Sequence, residues 1–437
     1  MQRVGLDQST VAENAIRLNV LRDSLTSASL RSRTADYLAV LMAISLPWST
    51  TIFGVFTALW LITLVTVIDA QRLRLQFRRP AYWLPVALFC FAALGMLWAD
   101  AAWAARIHAA ASMVKLLAIP LLMHQFERSQ KGITVFLAFL GSCTVLLALS
   151  WLSWFEPRII LAQNKIPGVP VKNWITQGVE FVLCIFGSAA LAIAMWRKER
   201  HYAATGFALL GAAFFLNMAL VASSRTALVS LPVLLLVSTL RYMKWRDVLV
   251  LYLAIALTAA FTWFLAPNLR ERIASIQQQY MLSQSQQTSV GLRLEYWTKS
   301  LKFIRNSPLG GHGTGSIRGL FEREAIGKTV TGDQIVANPH NQTLYFAIEW
   351  GVIGVILLYA MWITHFLMFT EMRWISWLGI IVVSQNVLGS LFNSHLSDYV
   401  EGWIYVMGVG VAGGMVSKLR KSDDALTGSD SGVPTGC

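Results

Sequence analysis

The sequence predicts an all-α polytopic membrane protein, and three observations carry that reading. Of 437 residues, 55% are hydrophobic and only 14% charged, against about 25% charged in soluble domains. The apolar residues fall into about twelve continuous runs between Ala35 and Ser417, each near the roughly 20 residues that a spanning helix needs. A membrane barrel would instead show short alternating strands. Finally, the basic residues collect between alternate runs, the pattern that sets topology in a bilayer.

In order, residues 1–34 form a polar cytoplasmic segment without the apolar core of a signal peptide, so the first span acts as the insertion signal. Nine spans are expected within 35–265: Ala35–Pro47, Thr51–Ile68, Ala81–Trp98, Ile107–Met123, Ile133–Leu152, Trp174–Trp196, Ala203–Val221, Thr226–Leu240 and Val248–Leu265. A large outer loop occupies 266–338, three further spans (Thr343–Phe366, Trp374–Leu391, Tyr399–Val416) lie within 339–417, and a cytoplasmic tail covers 418–437. The first and eighth spans are short, and Pro47 and Pro232 are candidates to break them.

The net charge of +13 invites a nucleic-acid reading, which the location of the charge refutes. Arg31 and Arg33, Arg72 to Arg79, Arg197 to Arg200, Arg241 to Arg246, and Lys418 to Lys421 all fall on one side if the spans alternate. Both termini are then cytoplasmic and the loop 266–338 lies outside. Lys115 is the one charge read as deep in the bilayer, where it serves as a coupling group, snorkels or pairs. Cys90, Cys143 and Cys184 lie in apolar runs and Cys437 at the end, which makes neither a disulfide framework nor a metal pair.

The chemistry is expected in the outer loop and at the outer span ends. Arg225 sits in a tight turn, Ser223-Ser-Arg-Thr226, with a charge that either snorkels to headgroups or binds a phosphate through its planar donor fork. Lys172, in the loop Trp154–Asn173 with Arg158 and Lys165, is either a solvated loop charge or meets an anionic lipid group. After a Gln- and Ser-rich stretch, Leu294, Trp297, Leu301 and Ile304 recur at spacings of three and four, an apolar helical stripe with Arg293, Lys299, Lys302 and Arg305 off it. Either this helix lies on the membrane surface, or Arg293 points inward to a bound diphosphate.

Gly310-Gly-His-Gly-Thr-Gly315 permits close backbone approach and can offer amides to an anion. It follows no strand, so it is no nucleotide fingerprint, and a mobile turn reads equally well. His340 is the favoured catalytic residue: it follows Pro339 at the mouth of a span, where an imidazole can take a proton at working pH. Asn338 and Asn341 flank it as candidates to hold its tautomer. His395, Asp398 and Glu401 cluster near the start of the last span, as a metal set, an acceptor site or a solvated interface.

Together, Ser224-Arg225-Thr226 opening a span, Arg293 with Trp297, Pro308-Leu-Gly-Gly-His-Gly-Thr-Gly315, and Pro339-His340-Asn341 followed by Glu349-Trp-Gly351 and Gly354 resemble the O-antigen ligase and polymerase superfamily. The match covers roughly 219–354, and it is the order of the set that is specific. His312 stands where that pattern commonly has a small or variable residue.

The resemblance implies a GT-C-like membrane glycosyltransferase acting at the periplasmic face of the bacterial inner membrane, and the length and single large loop look most like the O-antigen ligases. Such an enzyme moves O-antigen from undecaprenyl diphosphate to lipid A-core, with membrane lipids as its surroundings. No cofactor and no metal are implied: Arg225, Arg293 and Lys172 would hold the diphosphate, His340 would act as base, and His312, Glu295, Trp297, Asn338 and Asn341 would support them. The polymerases and the protein O-oligosaccharyltransferases share the loop motifs and differ in acceptor. A secondary transporter would suit twelve spans, yet lacks a use for the loop.

Overall fold

The computed structural model describes residues 29–159, 166–221, 225–242, 244–250, 252–253, 256–257, 289–326 and 335–429. Most of the expected ninth span, the stretch 266–288, Lys165 and the side chain of Arg225 lie outside the described residues. Among these the chain is all helical, with no strand. Helix α1 covers 29–45, α2 Thr50–Val65, α3 Ala70–Gln76 and α4 Pro80–Leu94. Then come α5 Trp103–Met113, α6 Ala118–Phe126, α7 Gly132–Phe155, α8 Trp174–Trp196, α9 His201–Leu220 and α10 Arg225–Tyr242. The outer segment contributes α11 Ser289–Asn306 and α12 Ile317–Ala325, followed by α13 Gln342–Met368, α14 Trp374–Ser390 and α15 Tyr399–Ser429.

Five of the starts have a local cause in the sequence. Ser49, Asp69, Asn173 and Asn341 cap α2, α3, α8 and α13 by accepting backbone N–H bonds, and Pro80 opens α4, where its missing N–H costs nothing. Pro47 lies in the turn that ends α1, whereas Pro232 is accommodated inside α10.

Eleven of the twelve expected apolar runs coincide with helices, but not every one reaches spanning length. Among the described residues six helices are long and apolar enough to cross a membrane, or seven if α2 and α3, bent by 108°, count as one broken span. Helix α4, the 229–241 stretch of α10, and α14 are apolar but shorter. The fourth expected span is α5 and α6 run together through a 3₁₀ turn at Val114–Leu117 into one helix of 24 residues, Trp103–Phe126. The chain is therefore a multi-pass membrane protein with a bundle of unequal helices.

Burial ranks them: the apolar window of α15 is 89% buried and that of α9 only 28%. Thus α15 is the axis, packed on α6 and α14, while α9 covers the outside of α8. The deep charges are more numerous than expected. Besides Lys115, Glu180 in α8 and Glu349 in α13 are each 1% exposed, six and seven residues inside their helices, or about 10 Å from the ends at 1.5 Å per residue.

One end of the bundle gathers the basic connections, as the charge pattern requires. Arg72 Nη2 lies 2.8 Å from Glu127, Arg128 2.7 Å from Asp69, and Lys421 of α15 pairs with the same Glu127. Gln76 donates to Glu127 as well. Burial pushes the Glu127 carboxyl up, but Lys421 and Arg72 outweigh that and hold it at about 2. The opposite end carries the turn at 46–49, Lys172, α11, α12, His340 and the 391–398 connection.

Glu127→Ala would leave Arg72 and Lys421, 31% and 48% exposed, without their shared carboxylate, and we expect a loss of about 1–2 kcal/mol, seen as a lower thermal midpoint in detergent. Because the folded pKa lies below the ordinary 4.5, this stabilisation is present above about pH 4.5 and is lost as pH falls through about 2.

Candidate functional site

The outer helix α11 is fixed by a face different from the one the periodicity suggested. Leu294 and Leu301 are 43% and 61% exposed, while Tyr296 and Phe303 are buried at 4% and Ser300 at 0%. The aromatic pair decides the rotation: Tyr296 and Phe303 both pack edge-on against Phe321 of α12, at 5.9 and 5.2 Å. Trp297 is partly buried and donates its indole N–H to Pro339 O at 3.2 Å, tying α11 to the turn before α13. Arg293 lies one turn earlier on the same helix and is half-buried. Glu295 is held by Lys299 at 2.5 Å.

The glycine run has a structural use. The amides of His312, Gly313 and Thr314 donate to Ile348 O, Glu349 O and Gly95 O at 2.8–3.0 Å, and Gly315 donates to the Glu349 carboxylate at 2.8 Å. These four amides are thereby occupied by the protein, which removes them from anion binding. His312 Nε2 bonds Phe303 O at 2.9 Å. Opposite the run, α13 breaks at Gly351, with φ 62° and ψ −157°, and Val352 donates to Pro308 O at 2.8 Å. A Cβ on Gly351 would stand 2.2 Å from Leu309 O, and one on Gly311 2.4 Å from the Glu349 carbonyl carbon. The close backbone approach expected here is therefore to a helix.

His340 sits beyond this clamp with φ +55°, a left-handed conformation uncommon outside glycine. Its neighbours hold it there. Its N–H donates to Asn338 Oδ1 at 2.8 Å, an oxygen that also accepts from Ser394 at 2.7 Å, and Asn341 caps α13 while donating to Leu391 O at 3.0 Å. Gln342 binds the same 391–398 connection through Leu396, Ser397 and the Ser397 hydroxyl.

The tautomer is held by two residues the sequence did not assign to this task. Asn393 Nδ2 donates to Asp398 Oδ2 at 3.0 Å, which turns its Oδ1 toward His340 Nδ1 at 2.9 Å. That oxygen can only accept, so the imidazole proton lies on Nδ1, and among the described residues none is bonded to Nε2, whose lone pair can accept a proton. Asn338 and Asn341 hold the backbone instead of the ring. Behind Asp398, Lys115 donates to Ser397 O at 3.1 Å and to Asp398 O. Burial and the Glu401 carboxylate push the Asp398 carboxyl up to about 7, with Lys115 pulling it down.

Lys172 faces the bundle, donating to Leu46 O. Burial pushes its ammonium below the ordinary value, opposed by Glu180 and Glu401. It thus lies in the field of two buried carboxylates. Glu401 accepts from Thr176 at 2.6 Å, His395 is 1% exposed, and no three His, Cys, Asp or Glu side chains among the described residues converge as a metal site.

Against this geometry, residues 210–359 match the family model described as O-Antigen ligase. The matched segment contains Arg225, Arg293, the glycine clamp, His340 and the break at Gly351. No curated protein matches the chain.

Gly351→Ala would place a methyl against Leu309 O in a conformation that alanine resists. A cost of about 2–5 kcal/mol is expected, read as reduced yield of folded protein and a lower thermal midpoint, with Gly310→Ala, which meets open space, as the unaffected control.

Proposed function

We propose that this protein is an O-antigen ligase: it transfers a finished polysaccharide from undecaprenyl diphosphate to lipid A-core at the periplasmic face of the inner membrane. The observation that carries this reading is the held tautomer of His340 within the family segment. A glycosyl diphosphate brings its own leaving group, so the protein must supply a base and hold two phosphates.

In this mechanism His340 Nε2 takes the proton of an acceptor sugar hydroxyl while that oxygen attacks the anomeric carbon. The bond from the anomeric carbon to the diphosphate oxygen breaks, its electron pair leaves with undecaprenyl diphosphate, and the configuration inverts. Asn393 and Asp398 keep the imidazole in the receptive tautomer and support the positive charge it gains. Arg225, at the first position of α10, and Arg293 hold the phosphates as guanidinium forks. Two guanidinium groups can carry that charge without a metal ion. The apolar residues Leu294 and Leu301 on the exposed face of α11 suit a helix lying in the interface where both lipid-anchored substrates arrive.

The test is transfer in a reconstituted system with undecaprenyl-diphosphate-linked O-antigen, lipid A-core and EDTA, read as a lipopolysaccharide ladder. Wild type is expected to make the ladder. His340→Ala should lose roughly 10²–10⁴ in rate, and Arg293→Ala should lose activity. Elongation of the lipid-linked glycan in place of transfer would make it a polymerase, transfer to protein an oligosaccharyltransferase, and no transfer to any acceptor would overturn the enzyme reading.

Asn393→Ala and Asp398→Asn should cost on the order of tenfold to a hundredfold, as for other partners that orient an imidazole, in protein of unchanged thermal midpoint. Since Asp398 is ionised only above about 7, and the charged form is the one that orients Asn393, turnover should rise as pH climbs through that value. Asp398→Asn should shift this limb.

A further inference from the structure

At the basic end of the bundle, far from His340, two adjoining cavities form a site of a different kind. The first, about 450 Å³, lies between α8 and α14 and is lined by Arg197, Lys198, Arg373 and Trp374. The second, almost wholly apolar, runs between α7, α8, α14 and α15, past Gly132, Phe136, Leu378, Ile404 and Met415. Trp374 and Ile375 line both, so the basic chamber and the apolar groove share a wall. Phe136, Phe139, Leu378 and Val382 are only partly buried, which leaves the groove open along its side.

We propose that these cavities bind one anionic phospholipid of the leaflet at the basic end, its phosphate in the chamber and one acyl chain in the groove. Charge is the first reason. Arg373 is occupied by Glu371 at 3.0 Å and by Asp423, whereas Arg197 and Lys198 are exposed and form no ion pair among the described residues. Two uncompensated cations beside a tryptophan at a membrane boundary attract an anionic headgroup.

Length is the second reason. Along α15 the groove extends from Ile404 to Met415, about 16 Å at 1.5 Å per residue, close to half of the roughly 30 Å hydrocarbon core. That is the depth of a single leaflet, and at its far end the groove reaches Ala43 and Leu46. The walls are set by helix contact: a Cβ on Gly132 would strike Met415, and one on Gly408 would strike Val382. These glycines let α7 and α14 approach α15 closely enough to make a narrow slot.

The test uses the full chain in native mass spectrometry from mild detergent, with phosphatidylglycerol, phosphatidylcholine and undecaprenyl phosphate as competing probes. Wild type should retain one phosphatidylglycerol at energies that strip phosphatidylcholine. Arg197→Gln with Lys198→Gln should lower retention roughly 30-fold, the worth of two basic contacts near a membrane surface. Ala412→Leu, which narrows the groove, should lower retention of either phospholipid, with the thermal midpoint in phosphatidylcholine nanodiscs checking that the variant is folded. Equal retention of phosphatidylcholine by the wild type, or unchanged retention in the double variant, would overturn the proposal. Displacement of phosphatidylglycerol by undecaprenyl phosphate would also overturn it, in favour of the carrier chain. None of these readouts depends on glycosyl transfer.

Discussion

The outer architecture hangs on one backbone-to-backbone contact, the seating of residues 308–315 in the break of α13 at Gly351. Helix α13 gives up its regular path at that glycine, and the freed backbone groups are not left bare. Ile348 O and Glu349 O accept from the glycine run, and Val352 donates to Pro308 O. Unsatisfied backbone at membrane depth costs several kcal/mol per group, so the break and the loop must exist together. Thr314 extends the clamp to α4 by donating to Ala92 O at 2.5 Å while accepting from Trp350 at 2.8 Å. Helices α11 and α12 are thereby fixed to the bundle, and Trp297 reaches the Pro339–His340 turn as a consequence.

This explains which parts of the site were legible in the sequence. His340 could be found because a histidine after proline at a span mouth has few structural reasons to be there, and the family pattern pointed to the same residue. Trp297 reaches that turn, and Arg293 lies four residues before Trp297 on the same helix. The rotation of α11 was not legible. Leucine and tryptophan at helical spacing mark an apolar face only when water is the alternative, and beside a membrane an exposed Leu294 or Leu301 is at no disadvantage. The true inner face, Tyr296, Ser300 and Phe303, is chosen by aromatic packing on Phe321. Asn393 was invisible for a further reason: its role depends on a contact 53 residues away in sequence from His340, made by a connection with no periodicity.

The buried charges were misjudged from the same cause. Glu180 and Glu349 sit in runs apolar enough to read as spans, so only Lys115 stood out. Each has company that composition cannot show. Glu349 accepts from Gly315 and so belongs to the clamp. Glu180 lies in the field of Lys172, whose ammonium is turned inward. The scarcity of deep charge is thus no argument against a transporter. The stronger argument is that Glu349 is bonded into the clamp and Lys115 to the 397–398 backbone, while the histidine with a receptive nitrogen lies at the mouth of α13.

That division of labour follows from where polar groups can be held. In the bundle interior a charge survives only if it is satisfied, and a satisfied charge is a poor reagent. A base must keep one lone pair unspent, which is affordable only at the membrane boundary, where water and substrate hydroxyls can meet it. His340 meets both demands by splitting its ring: Nδ1 is spent on Asn393, and through it on Asp398 and the field of Lys115, whereas Nε2 is kept. The left-handed backbone at this residue is the cost of pointing the ring away from the helix that it introduces. The caps and bonds of Asn338, Asn341 and Gln342 are what make that conformation stable enough to persist.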